Sequence, residues 1–320
     1  MYHYIRDFPN TRYPRIPGLL LDKFLGQLSY LEKYYTFVNV EACIDHLKKK
    51  TVLPKNACLL TFDDGYIDHF ITVFPILSEK KIPAAFFPPA LPIVENKILD
   101  VHKIHYILAS TSDYKPLVED IFSMLDYFRP YINLPPNDEI YSKLSKMPSR
   151  FDIPEVVFIK MLLQHELPVN VRYAITNELF KRYVKVDEKF FVREIYMSMS
   201  QLKMMQREGM YIGGHGYHHE WMGKMSEPEQ SIEFDKTRKF LEEIHKTSLE
   251  DWVFCYPSGS KNDYTVQRLK ELDCAFALGT KPTIAPLDEE NRYCMPRLDT
   301  NDLPFVGNAD LSKWTRMVIG

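Results

Sequence analysis

Apolar and polar positions fall into short blocks of two alternating kinds along this chain. Residues 1–5 read as a short strand, and the polar, Pro-containing stretch to Gly18 reads as a loop. From 19 to about 35, Leu20, Phe24, Leu28 and Leu31 recur at a helical period. FVNV (37–40) predicts a strand, 41–50 a helix closing on three lysines that suit the negative end of its dipole, and ACLLTF (57–62) a strand apolar on both faces. The same reading gives helices over 66–80, 201–208, 227–245 and 264–272. Strands are predicted at AAFF (84–87), YIGG (211–214), WVFCY (252–256), CAFALG (274–279) and YCMPRL (293–298). Strand and helix alternating this often predict a parallel α/β sheet or barrel of about seven units.

Residues 92–199 break that rhythm. They carry little strand signal but several helical patterns, as at 115–128 and 155–163, punctuated by Pro135, Pro136 and Pro148. The expectation is one barrel over 1–320 with a helical insertion at 92–199. His102 and His105, three apart on an otherwise apolar helix, read as packing.

Composition narrows the function classes. Forty Lys plus Arg against 43 Asp plus Glu leave a net charge of −3, no footprint for nucleic acid or an anionic membrane. Hydrophobic residues at 45% exclude whole-chain disorder. Five widely spaced cysteines with no CxxC pair indicate neither a disulfide framework nor a thiolate zinc site. The chain has no run of about 18 uncharged apolar residues, hence no predicted transmembrane segment, and its opening MYHYIRDFPN is unlike a signal peptide. A soluble, cytoplasmic protein is expected.

Two clusters carry candidate chemistry. The 57–62 strand runs into Asp63, Asp64 and Gly65. Adjacent carboxylates at a strand's C-terminal end repel unless a cation or proton intervenes, and ligands bind at that end in parallel α/β folds. Neighbouring strand residues point to opposite faces, so the chain must bend there for both to serve one site, which Gly65 permits. The alternative is an Asp capping the next helix. The second cluster is Gly213-Gly214-His215-Gly216-Tyr217-His218-His219. His215 and His219, four apart, would share one helical face, and two His with one carboxylate make a metal set with a position open for water. His218 replaces His219 only if the segment is not helical.

TFDDG (61–65) and HGYHH (215–219) resemble the first two motifs of the polysaccharide deacetylases, the NodB-homology or carbohydrate esterase family 4 domains. The resemblance implies a distorted (β/α)7 barrel, with Asp63 as general base and Asp64, His215 and His219 as ligands of a divalent metal. Zn2+ is expected, and Co2+, Ni2+ or Mn2+ also suit such a set. The family's third motif is only partly present as CYPSG (255–259). Cys255 stands where an Arg usually positions the base, and Arg297, in MPRLD, is the expected substitute. Ser258, through its backbone N–H, and Tyr256 are expected at the oxyanion and the substrate. The family's C-terminal His is absent; Tyr2-His3-Tyr4 resembles the opening of the poly-N-acetylglucosamine deacetylase branch and makes His3 the candidate general acid.

The implied activity is a metal-dependent hydrolase removing an N-acetyl or O-acetyl group from an amino sugar. The expected substrates are an acetylated amino sugar, a sugar nucleotide or a lipid-linked glycan in polysaccharide biosynthesis. The alternative is a catalytically silent NodB-like protein that binds glycan or a partner, supported by the lost Arg and C-terminal His and opposed by the complete DD and HxxxH pair. Aromatic residues of the insertion line either a substrate groove or a homo-oligomer interface; the sequence leaves both open.

Overall fold

A computed structural model describes residues 1–149 and 152–320; residues 150 and 151, inside the expected insertion, lie outside the described residues. The chain divides into two compact units. The first comprises Met1–Asp7, Pro17–Lys97 and Val192–Gly320, the second Phe8–Ile16 and Ile98–Phe191.

The first unit is a helix-rich α/β fold with parallel sheets. Its strands are β1 (Thr36–Phe37), β2 (Ala57–Cys58), β3 (Leu60–Asp63), β4 (Ala84–Phe87), β5 (Tyr211–Ile212), β6 (Trp252–Cys255) and β7 (Cys274–Leu278). They pair in parallel as β1·β2, β3·β4·β5 and β6·β7. Single parallel bridges extend these sheets: Gly214 to Phe254 links the end of β5 to β6, Leu278 to Met295 continues beyond β7, and Tyr2 to Phe62 flanks β3. The Met1 amino group donates to the Leu298 carbonyl at 2.8 Å.

β3, β4, β6 and β7 are buried throughout, as strands covered on both faces must be. Alternate residues feed two apolar layers. Phe62, Phe86, Ile212 and Phe254 pack with the helices, whereas Ala85, Phe87, Val253, Cys255, Phe276 and Leu278 form a second core. With Phe62 in the first layer, Thr61 and Asp63 face the second, which brings the Asp63 carboxylate to the strand ends beside Cys255.

Several expected elements differ in detail. The opening strand is two isolated bridges, Tyr2 to Phe62 and Ile5 to Leu19, because its backbone bonds alternately to two neighbours. ACLLTF is split at Leu59, its first half pairing with β1 and its second with β4. Val40, expected in a strand, opens the helix Val40–Leu47, capped by Asn39 accepting from the Ala42 N–H. The 66–80 helix begins with a π-helical turn at His69–Val73 before Phe74–Glu79; Pro75 has no N–H with which to continue an α-helical ladder. Of YCMPRL, only Met295 bridges a strand.

The second unit shows no strand among its described residues. Helices Asp100–Ser110, Lys115–Phe128, Asn137–Leu144, Pro154–Met161 and Val169–Tyr183 bury Ile104, Ile107, Ile121, Leu125, Phe158, Ile175 and Leu179. Lys103 is buried with them, its ammonium donating to Asn177 Oδ1 at 2.6 Å and facing Glu188 Oε1 at 2.9 Å. The segment Phe8–Ile16 joins through Tyr13, which packs edge-on against Tyr106.

Candidate active site

β3 ends at Asp63, and the next two residues take left-handed backbone, φ 73° at Asp64 and 66° at Gly65. Left-handed geometry at a non-glycine residue is strained. Here it turns the second carboxylate off the strand alternation. A Cβ on Gly65 would approach Pro88 Cβ to 2.7 Å, so space as well as φ excludes a side chain. Asp64 Oδ2 accepts from the Tyr66 hydroxyl at 2.8 Å. Its Oδ1 lies 3.4 Å from His215 Nε2 and 3.3 Å from His219 Nε2.

The histidines arrive on a loop. After β5, Gly213 passes so close to Phe87 that a Cβ would sit 2.4 Å from its ring. The chain then hydrogen-bonds to β6 through Gly214 N–H to Val253 O at 3.0 Å and Cys255 N–H to Gly214 O at 2.8 Å. The helical reading of 215–219 is corrected: the segment is irregular, with Gly216 at φ 73° and His219 at φ 58°. His215 and His219 still converge, their ring centroids 4.8 Å apart. His218 instead turns to Glu233, which takes its Nδ1 and its backbone N–H.

The donor chemistry fits a cation. His215 Nδ1 faces the Cys255 carbonyl at 2.8 Å, so Nδ1 carries a proton and Nε2 is the ring nitrogen turned toward Asp64 Oδ1. A carboxylate oxygen and an imidazole lone pair at that separation repel unless a cation or proton lies between them. Ligand atoms of Asp64, His215 and His219 all lie within 4.8 Å of one another. This is a nitrogen and oxygen set of the kind that holds Zn2+ with an open position.

Beside it, Arg297 grips Asp63 through two hydrogen bonds, Nη1 to Oδ1 at 2.9 Å and Nη2 to Oδ2 at 2.7 Å. The remaining guanidinium N–H groups reach Gly279 O at 2.9 Å, Thr61 Oγ1 at 3.1 Å and Cys255 Sγ at 3.0 Å. The Cys255 thiol donates to Asp63 Oδ2 at 3.4 Å. Burial alone would raise the Asp63 carboxyl, but Arg297 overrides it and holds the group well below the usual carboxylate range. Burial pushes the Cys255 thiol up, which leaves it neutral. The opening segment, residues 1–5, lies alongside: the His3 carbonyl accepts from His69 Nε2 at 2.8 Å, and the His3 ring is near enough to act electrostatically on Asp63 and Asp299.

Residues 168–277 match the family model described as polysaccharide deacetylase. The match spans His215, His219 and the 255–259 turn, while Asp63, Asp64 and Arg297 lie outside it. No curated protein matches the chain significantly. Three solved structures share the fold: the Streptococcus pyogenes deacetylase PplD in complex with acetate (TM-score 0.54, 17% identity, 93% of this chain and 89% of that one), IcaB from Ammonifex degensii (0.53, 17%, 93% and 89%) and a de-N-acetylase from Aggregatibacter actinomycetemcomitans (0.52, 14%, 97% and 95%).

Within the matched residues, the CYPSG turn places its two expected residues in different surroundings. Tyr256 is fully buried, its hydroxyl donating to Tyr293 O at 2.8 Å and its N–H to Leu278 O at 3.1 Å. Its carbonyl in turn accepts from the Gly259 N–H at 2.9 Å, so its hydroxyl, N–H and carbonyl all have partners within the protein. Ser258 is exposed, in left-handed backbone at φ 53°. The residue that sequence reasoning missed is Glu233, which accepts from the Tyr217 N–H at 2.9 Å and from His218. A signal was available: Gln230, Glu233, Phe234, Thr237, Leu241 and Ile244 share the buried stripe of the helix Glu227–His245, where an acidic residue is out of place unless paired.

Proposed function

We propose that this protein is a metal-dependent deacetylase that removes an acetyl group, N-linked in the first instance, from an amino sugar of a polysaccharide or glycoconjugate under construction. The observation that carries this is the meeting of Asp64, His215 and His219 beside an Arg297-held Asp63 at the strand ends. The family match and the three shared folds, those of two deacetylases and of IcaB, support it. The run of parallel neighbours from Tyr2 through β3 to β7 and Met295, with Met1 against Leu298, supports a (β/α)7 barrel.

Asp64, His215 and His219 would hold the cation, Zn2+ before Co2+, Ni2+ or Mn2+. A bound divalent ion supplies Lewis-acid polarisation of the acetyl carbonyl. Asp63 takes the proton of the attacking water, and Arg297 keeps its two oxygens fixed so that no reorientation is needed. The Ser258 N–H donates to the oxyanion of the tetrahedral adduct. His3 gives its proton to the leaving amine, the step an amide needs most. Sugar nucleotides and lipid-linked glycans are the substrate forms proposed, in the cytoplasm.

The test is acetate release from a panel of N-acetylated amino sugars by chelator-stripped protein with and without added Zn2+. Zinc-dependent acetate supports the reading; metal uptake without turnover on any acylated sugar favours the silent glycan binder.

A further inference from the structure

In a loop that is not helical, spacing alone does not decide whether His218 or His219 joins His215. We infer that Glu233 is the positioning residue that makes this choice, by taking His218 out of contention and fixing the backbone that delivers His219. The inference rests on the metal reading above.

The backbone hydrogen bonds of the loop support it. On one side of the loop, the carbonyls of Gly216 and Tyr217 accept from the N–H groups of Ala90 and Leu91, at 3.2 and 2.9 Å. On the other, the N–H groups of Tyr217 and His218 both donate to Glu233 Oε2, at 2.9 and 3.0 Å, while His218 Nδ1 bonds to Oε1. One carboxylate, 2% exposed, therefore carries three bonds from two consecutive residues. His218 is thereby turned outward with its side chain 38% exposed, and His219 is left at φ 58°, a conformation that persists only where its surroundings fix it. Glu233 lies on the buried stripe of its helix with Phe234 and Thr237, and the Thr237 hydroxyl bonds back to the Glu233 backbone carbonyl at 2.6 Å. Glu233 touches no reacting group. Its action passes through the loop.

Co2+ titration of the full chain, stripped of metal and followed by visible absorption, tests this. His219→Ala should abolish the wild-type band and His218→Ala should keep it. Glu233→Ala should weaken Co2+ binding about 10- to 100-fold, the range for residues that orient metal ligands, and change the band as both histidines compete. Removing the competitor in that background, Glu233→Ala with His218→Ala, should return the band toward wild type, which a residue needed only for stability would not do. Where Glu233→Ala fails to fold, Glu233→Gln decides. Its single acceptor oxygen cannot serve both the N–H pair and His218, so binding should fall about 10-fold or more. Wild-type affinity and band in the Glu233 variants, with normal uptake by the wild type, would overturn this inference alone. Failure of the wild type itself to take up Co2+ would overturn the metal reading with it.

Discussion

Asp63 and Asp64 are neighbours in sequence and meet opposite surroundings. Asp63 stays in strand geometry and faces a guanidinium whose five N–H groups are all engaged, by Asp63 twice and by Gly279, Thr61 and Cys255. Asp64 is thrown into left-handed backbone and shares one oxygen with two imidazoles at 3.3 and 3.4 Å. The protein balances the first charge from within. At the second it gathers electron-pair donors that a cation would bring together. Two adjacent carboxylates thus acquire different tasks through one backbone turn, with Gly65 making room for it.

Substitutions that treat the two sides separately break this comparison or sharpen it. The largest effect expected is on turnover: Asp63→Asn should keep the metal yet lower kcat by about 10²- to 10⁴-fold, the usual contribution of a general base. Unchanged kcat would remove Asp63 from the chemistry. Next, Arg297→Ala would leave a buried carboxylate unpaired and should cost about 3–5 kcal/mol of folding stability by denaturant titration. In the Asp63→Asn background the same change should cost much less, and equal costs would mean that the pair is not the source. A smaller effect comes from His69, which bonds to the backbone of the opening segment at His3. Burial lowers its imidazole to about 4 from an ordinary 6.5. Below pH 6.5 the unfolded chain therefore takes up a proton that the folded chain refuses. Stability should fall as pH drops through that window and the loss should level off near pH 4, at about 3 kcal/mol. His69→Gln should flatten that slope, and an unchanged slope would assign it to other groups.

The long elements were legible in the sequence. The patterns at 115–128 and 227–245 match helices of the same bounds, and AAFF is β4 as written, because each presents an uninterrupted period to one buried face or is buried throughout. The short edges were not. Residues 1–5 and 293–298 pair only through single bridges to residues outside their own segments, which no local pattern encodes. At the site, the identities of the convergent residues were readable but not the reason for their convergence. His215 and His219 looked like one helical face, whereas Gly216 and the left-handed His219 bring them together by a loop. Arg297 stands more than 200 residues from Asp63 in sequence, and only the return of the chain after Met295 puts its fork on that carboxylate. Glu233 lay hidden in a strongly charged helix.

The claim that joins these observations is that Asp64, His215 and His219 hold one divalent ion on which deacetylation depends. The most direct measurement loads stripped protein with Zn2+ in steps and follows bound metal and acetate release from an N-acetylated amino sugar together. About one ion per chain is predicted, with activity rising in proportion and both lost in Asp64→Ala and His215→Ala. Full zinc occupancy in those variants, or acetate release that ignores the metal, would contradict it.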